Sequence, residues 1–259
     1  MVWSTALISE ELPAELAAME EFLTEGVVTS VLSTLKSGKE AATYLCRAGG
    51  ELRKQKLLVA KVYHDRNHRN FKQDGIYNEG RVILNGQVAR AINARTEFGL
   101  NADMAMWVNR EFEALSELHY AGADVPEPFA ATDGAILMEY FGNEEGAAPQ
   151  LQSARLNREE AEAAADRVLW NVELMLDNHR VHGDLSAFNV LYWQGRPVVI
   201  DLPQIVDPRQ NPQARKLLDR DVANIAKYFQ RYGMELNAGR IVDGLWERYT
   251  YGDLGGQAG

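Results

Sequence analysis

The run His182-Gly183-Asp184-Leu185-Ser186-Ala187-Phe188-Asn189-Val190-Leu191 constrains this chain more than any other. Asn189 follows Asp184 by five positions, and Asp201, in Ile200-Asp201-Leu202, follows it by seventeen. Between Asn189 and Asp201 lie two apolar runs, Val190-Leu191-Tyr192 and Val198-Val199-Ile200, separated by Trp193-Gln194-Gly195-Arg196-Pro197. That is the pattern of two short strands, so a fold that keeps this set must present a loop, a hairpin and a second loop. The residue types suit phosphoryl transfer. A carboxylate orients the attacking hydroxyl, while an amide oxygen and a second carboxylate hold magnesium, a hard cation that prefers oxygen. On this reading Asp184 takes the first role, and Asn189 and Asp201 take the second.

Lys61 sits inside an apolar run, Val59-Ala60-Lys61-Val62-Tyr63. A lysine there must place its charge somewhere. In a phosphotransfer enzyme it meets the α- and β-phosphates and a glutamate from a following helix. Glu111, in Trp107-Val108-Asn109-Arg110-Glu111-Phe112, is the candidate, with Glu113 and Glu117 as rivals on the same helix. An exposed lysine on an edge strand is the plain alternative. The turn Ser37-Gly38-Lys39-Glu40-Ala41 contains neither GxGxxG nor GxxxxGK[ST]. One glycine flanked by a hydroxyl and a cation could still lie over a triphosphate, and a simple hairpin turn would explain it as well.

The rest of the pattern predicts a small β-rich half followed by a helical half. Leu12, Leu16, Met19 and Leu23 recur at helical spacing among six glutamates and no lysine or arginine in residues 1–26, so an acidic amphipathic helix is expected over 10–24. A packing helix with a solvated face is the favoured reading and a partner-binding arm the other. Strands are expected over 27–32, 42–46, 57–63 and 135–140, with a turn at 48–50. Residues 64–81 read as a flexible connection, 82–98 and 102–121 as helices, and 142–150 as a linker. A long helix over 158–179 would be capped by Asn157, and further helices fall near 215–232 and 241–249. The last eight residues are expected to fray.

Composition excludes several classes. Lys plus Arg number 27 against 37 Asp plus Glu, a formal net charge of −10, which is a poor balance for coating DNA. No apolar run approaches the ~18 residues of a membrane span, and no basic-then-apolar leader opens the chain, so the cytoplasm is the default location. A single cysteine, Cys46, excludes an intramolecular disulfide framework, and the five histidines show no ligand spacing with it, so zinc is not expected. His182 is read as a brace for its loop rather than as a general base. Asp221 is a candidate for hydrogen bonds to the backbone of the same loop, with a surface carboxylate as the alternative.

Taken together, these residues resemble the RIO family of atypical serine/threonine protein kinases over about 37–232. The resemblance is carried by Ser37-Gly38-Lys39-Glu40-Ala41, Lys61, Arg69-Asn70-Phe71-Lys72, Met138-Glu139-Tyr140-Phe141-Gly142, the 182–189 loop, Ile200-Asp201-Leu202-Pro203-Gln204 and Arg220-Asp221-Val222-Ala223-Asn224-Ile225. It implies an α+β, two-lobed protein-kinase-like fold. An acidic helical extension would occupy 1–26, a small antiparallel β-sheet lobe with a helix would run over 27–142 including a hinge, and a mainly helical lobe would occupy 143–259. It also implies a short form, since only about 30 residues precede the first strands and leave no room for a winged helix. ATP and Mg2+, with Mn2+ as a substitute, would be the cofactors. Glu139 and Phe141 would hold the adenine through their backbone, and Ser37, Lys39, Lys61 and Glu111 would attend the phosphates. In this family the metal-loop aspartate has been proposed to accept the phosphate, which for Asp201 implies an aspartyl-phosphate and a slow ATPase cycle.

The implied partners are ATP and a protein substrate or the chain itself, and by analogy alone the small ribosomal subunit. The acidic excess of the first 26 residues is expected to lie away from the phosphates. Two alternatives stand beside this reading. One is a small-molecule kinase of the aminoglycoside or choline phosphotransferase type, for which the 39 residues between Gly142 and His182 leave little substrate domain. The other is a non-catalytic ATP-binding switch.

Overall fold

The computed structural model describes residues 3–4, 13–64, 90–92, 94, 96–143 and 145–252. Expectations for 65–81, including Arg69-Asn70-Phe71-Lys72, for most of 82–98 and for the last seven residues fall outside them. The chain forms two compact units. One comprises Met1–Phe71, Val82–Glu113 and Glu127–Tyr140; the other comprises Lys72–Arg81, Ala114–Pro126 and Phe141–Gly259. The α+β class, with a small antiparallel sheet and a mainly helical part, is the one expected.

The first unit is built on an antiparallel sheet. After β1 (Trp3–Ser4) come a 3-10 turn over Ala14–Met19 and α1 (Glu20–Thr24). Then follow β2 (Val28–Ser37), β3 (Ala41–Ala48) and β4 (Leu57–Tyr63). The long α2 (Glu97–Tyr120) precedes β5 (Pro128–Ala131) and β6 (Ala135–Glu139). The sheet order is β1-β2-β3-β4-β6-β5.

Side chains alternate across the sheet, as the period of two requires. Ala42, Tyr44, Cys46, Leu58, Ala60, Val62, Ala135 and Leu137 share one face, which Leu16, Met19, Phe22 and Leu23 cover in a single core. The acidic segment is therefore a packing element, as the favoured reading held, but it starts as a 3-10 turn and not as a continuous helix. Lys61 is odd in this alternation, with cross-strand neighbours Thr43 and Ile136, so it faces away from that core. The expected 48–50 turn is longer: a 3-10 turn over Gly50–Gln55 joins β3 to β4.

In α2 the Thr96 hydroxyl accepts from the Gly99 N–H at 3.1 Å, a cap for the first turn. Met104, Trp107, Val108, Leu115 and Leu118 recur at 3–4 residue spacing and are buried. Glu111 stands within that same stripe.

The longest stretch of the second unit, from Phe141 on, opens with a hairpin of β7 (Gly142–Asn143) and β8 (Gly146–Ala147), leading to buried Ala148 and Leu151. The expected linker is thus an ordered turn, because its small residues let the chain reverse and its Asn143 side chain caps the reversal through the Gly146 N–H at 3.2 Å. Next come α3 (Arg158–Asp177), β9 (Val190–Trp193), β10 (Arg196–Val199), α4 (Ala214–Phe229) and α5 (Ala238–Tyr251). Asn157 and Glu160 form a reciprocal capping box at the start of α3. The helix stops with His179 in the left-handed region (φ 56°). There the Arg180 and His179 N–H groups reach back to Met175 and Leu176 in a Schellman arrangement. Gln194 and Gly195, with φ of 50° and 81°, make the two-residue turn between β9 and β10, whose backbone twist suits a tight hairpin. Among the described residues no helix is long and apolar enough to cross a membrane.

Candidate active site

Within the first unit, Lys61 Nζ donates to both carboxylate oxygens of Glu111, at 2.7 and 3.0 Å. The lysine is 8% exposed and the glutamate 2%. A charged residue on an apolar strand face and another in an apolar helix stripe have found each other, and the register selects Glu111 over Glu113 and Glu117. Ser37 is the exposed last residue of β2, and Gly38 and Lys39 stand on the exposed turn that leads to β3. The turn is closed by the Gly38 N–H to Ala41 carbonyl bond (3.0 Å) and braced by His64, whose ring nitrogen meets the Gly38 carbonyl at 3.2 Å.

Gly38 and Lys39 also line an open groove together with Glu20, Glu21 and Glu25. Three carboxylates of the acidic segment thus border the groove that this turn lines. Leu16, Met19, Phe22 and Leu23 dock on the sheet, and their docking carries the carboxylates of the same turns to the groove.

At the end of β6 the Glu139 N–H is taken by the Glu127 carbonyl (2.9 Å) and its side chain accepts from the Glu127 N–H (3.3 Å). In the second unit the Phe141 carbonyl accepts from the Ala148 N–H at 2.8 Å.

The 182–189 loop lies in the second unit and is held from inside. Asp184 is exposed, while its neighbours Gly183 and Leu185 are buried. Asp221, on α4 and 1% exposed, accepts from the Gly183 N–H at 2.7 Å and the Leu185 N–H at 2.9 Å. Arg220 donates to the Gly183 carbonyl, and Asn224 Nδ2 donates to the Leu185 carbonyl at 3.0 Å. Three residues of one helix thus fix the backbone on both sides of Asp184. Burial pushes the Asp221 carboxyl up to about 7, against its two backbone donors and Arg220, which favour the anion.

His182 is 2% exposed and uses both ring nitrogens. Nε2 meets the Ile200 carbonyl at 3.2 Å, and Nδ1 accepts from the Asp184 N–H at 3.2 Å. The partners assign the proton to Nε2. Burial holds the ring below the ordinary histidine range and so keeps it neutral, with the Ile200 carbonyl acting the other way. His182 is a brace between two loops, as expected.

Asn189 Nδ2 donates to the Asp184 carbonyl (2.9 Å) and lies 3.4 Å from its carboxylate. The amide nitrogen is thereby turned to Asp184, and Oδ1 is the end that could serve a cation. Asp201 follows β10 and is exposed, with φ of 67°. The oxygens of Asn189 and Asp201 are of the donor type that suits Mg2+. Among the described residues there is no cluster of three or more His, Cys, Asp or Glu that would cage a metal alone.

The sequence reading missed a buried polar knot. Asp124 accepts from Arg167 Nε (2.5 Å) and Nη2 (3.1 Å), Asn171 Nδ2 (2.8 Å) and Arg196 Nη2 (2.5 Å). Asn171 is 0% exposed in the middle of the apolar stripe of α3, and a polar residue at such a position signals a buried partner. Nothing around Asp124 in the sequence points to it.

The RIO domain family model matches residues 50–240. The RIO-type serine/threonine-protein kinase Rio1 of Haloferax volcanii is 30% identical over 251 residues, which cover 93% of this chain and 76% of that protein. Rio1 of Thermoplasma acidophilum is 33% identical over 141 residues, or 54% of this chain and 73% of its own length. Human serine/threonine-protein kinase RIO1 is 28% identical over 216 residues, 83% of this chain but 36% of the human one. Among solved structures, the Rio2 kinase-ADP/Mg2+-phosphoaspartate complex from Chaetomium thermophilum shares the fold, with a TM-score of 0.62 and 22% identity over 90% of this chain and 70% of that one. The domain match spans most of the chain and the Haloferax volcanii relative nearly all of it, and the chain belongs to the RIO family of serine/threonine protein kinases.

Proposed function

We propose that this protein is an ATP- and Mg2+-dependent RIO kinase that transfers the γ-phosphoryl group to serine or threonine of a protein, itself included. One observation carries the reading. Asp184 stands exposed on a loop whose backbone is fixed on both sides by Asp221, and Asn189 is turned toward it. A carboxylate so held can orient an attacking hydroxyl and take its proton without moving. Asn189 Oδ1 and Asp201 hold the cation, which when bound offsets the charge that develops on the phosphate oxygens. Lys61, oriented by Glu111, supplies a fixed cation for the α- and β-phosphates, and Ser37 and Lys39 contact the phosphates from the turn. The Glu139 carbonyl and the Phe141 N–H hold the adenine edge; their other backbone groups are engaged by Glu127 and Ala148.

A second reading concerns Asp201. The Rio2 complex of like fold holds phosphoaspartate, and an exposed carboxylate in a constrained backbone can act as nucleophile. In that cycle Asp201 attacks the γ-phosphorus, ADP leaves, and water later hydrolyses the acyl phosphate. Mass spectrometry after incubation with γ-labelled ATP tests both readings. Phosphate on serine or threonine supports transfer to protein, and a hydroxylamine-labile adduct on Asp201 supports the ATPase cycle. Neither adduct, together with no ADP formed, overturns the kinase reading, and an Asp184→Ala variant that keeps full activity overturns the role given to Asp184.

A further inference from the structure

We propose that Asp124 is a positioning residue for the cation site: it seats the β9–β10 hairpin so that Asn189 and Asp201, at the two strand ends, present their oxygens together. The inference rests on the reading of Asn189 and Asp201 as the cation ligands.

The connections are direct. The Asp124 side chain is 2% exposed and takes four donor contacts, from Arg167, Asn171 and Arg196. Its backbone is engaged as well: the N–H donates to Asn171 Oδ1 at 2.7 Å, and the carbonyl accepts from the Val199 N–H at 2.7 Å. Arg196 is the first residue of β10 and Val199 the last, so one residue grips that strand at both ends.

The open end of the hairpin carries the site. Val199 pairs with Val190, the residue after Asn189, and the Ile200 N–H donates to the Asn189 carbonyl at 2.9 Å. Asp201 is the next residue. A two-stranded hairpin of four residues a side is marginal by itself, so its seat must come from outside.

The anchor is rigid. Arg167 stacks 3.8 Å above the Trp170 ring, and Asn171 also donates to the Arg167 carbonyl at 2.9 Å. Arg196, by contrast, is 68% exposed and is the arm by which the hairpin reaches Asp124. Removing Asp124 leaves the fully buried Asn171 without that acceptor, and such a variant risks the fold. Removing the Arg196 head group leaves Asp124 with Arg167 and Asn171 and takes away only the side-chain tie to the hairpin, whose Val199 N–H still donates to the Asp124 carbonyl.

The test uses the full chain, Mn2+ and a non-hydrolysable ATP analogue. Mn2+ binding is read by electron paramagnetic resonance at saturating analogue, alongside Tm and analogue affinity without metal. Arg196→Met should weaken Mn2+ binding about tenfold, the scale on which groups that orient metal ligands act. Its Tm should stay within about 4 °C of the native chain, since an exposed guanidinium contributes little to stability. Metal-free analogue affinity should not change. Arg196→Lys should recover much of the Mn2+ affinity, and Asp124→Asn should weaken Mn2+ binding at least as far as Arg196→Met.

Unchanged Mn2+ affinity in Arg196→Met and Asp124→Asn, with or without a fall in Tm, overturns the positioning role and leaves the knot as packing. If the native chain itself binds no Mn2+ with the analogue present, the cation reading of Asn189 and Asp201 fails, and this inference fails with it.

Discussion

Lys61 and Glu111 form a closed ion pair in the interior of the first unit, with Nζ at 2.7 and 3.0 Å from the two carboxylate oxygens. Two desolvated charges contribute little net stability as a pair, yet removing one is expensive, about 3–5 kcal/mol. Lys61→Met should therefore lower Tm by about 10 °C and cut ATP-dependent activity on the order of a hundredfold. Lys54→Ala, an exposed lysine, should do neither. The double variant Lys61→Met/Glu111→Leu separates the two effects. Apolar replacement of a buried pair is often neutral or stabilising, so Tm should recover while activity stays lost. Recovery of activity in the double variant would refute the role given to Lys61.

The pH dependence of stability should carry the signature of Asp221. Burial raises its carboxyl to about 7 in the fold, against about 3.9 in an unfolded chain. A raised carboxyl binds its proton more tightly when folded. The stability it contributes is full below the unfolded value and is lost as pH rises through about 7. Asp221→Asn does not titrate and misplaces a donor against the Gly183 or Leu185 N–H, so it should be less stable at every pH. Its deficit should be largest near pH 5 and shrink toward pH 8. Chemical denaturation of both proteins over that range decides the point. A deficit that grows with pH would mean that the two backbone donors and Arg220 dominate and the group is an ordinary anion.

How far the sequence carried this picture differs by residue. The 182–189 loop and Ile200-Asp201 were legible because the spacing of oxygen donors between two apolar runs has few uses. Lys61 was legible as a charge out of place. Glu111 was one of three glutamates on its helix, and only the register of α2 against β4 singles it out. Asp221 was visible only as a candidate, since nothing local distinguishes a carboxylate that caps a distant loop from a solvated one. Asp124 was invisible, because its partners lie 43, 47 and 72 residues away. Small residues also misled. The stretch over 142–150 has the composition of a linker but folds as a short hairpin, since glycine and asparagine permit a tight reversal as readily as disorder.

The backbone at Asp201 separates charge from conformation. Its φ of 67° is in the left-handed region, which aspartate and asparagine tolerate and alanine adopts at a cost of roughly 1 kcal/mol. Asp201→Asn should keep the native Tm within about 2 °C, whereas Asp201→Ala should lose roughly 2–4 °C. Both should lose phosphotransfer, because neither offers the cation a carboxylate. Equal Tm values for the two variants would show that this conformation is not held in the native chain.

Ligand linkage gives the broadest check. A ligand that binds only the folded state stabilises it by about 2.7 kcal/mol at a hundred times its Kd. For a chain of this length that is a rise of roughly 5–10 °C in Tm. ATP with Mg2+ should produce such a shift, and ATP with a chelator a smaller one, since Asn189 and Asp201 then hold nothing between them and the phosphates. Asn189→Ala should reduce the shift with Mg2+ toward the chelator value while leaving the chelator value itself unchanged. An Asn189→Ala shift equal to the native one would remove Asn189 from the cation site. No shift at millimolar ATP and Mg2+ in the native protein would count against nucleotide binding itself.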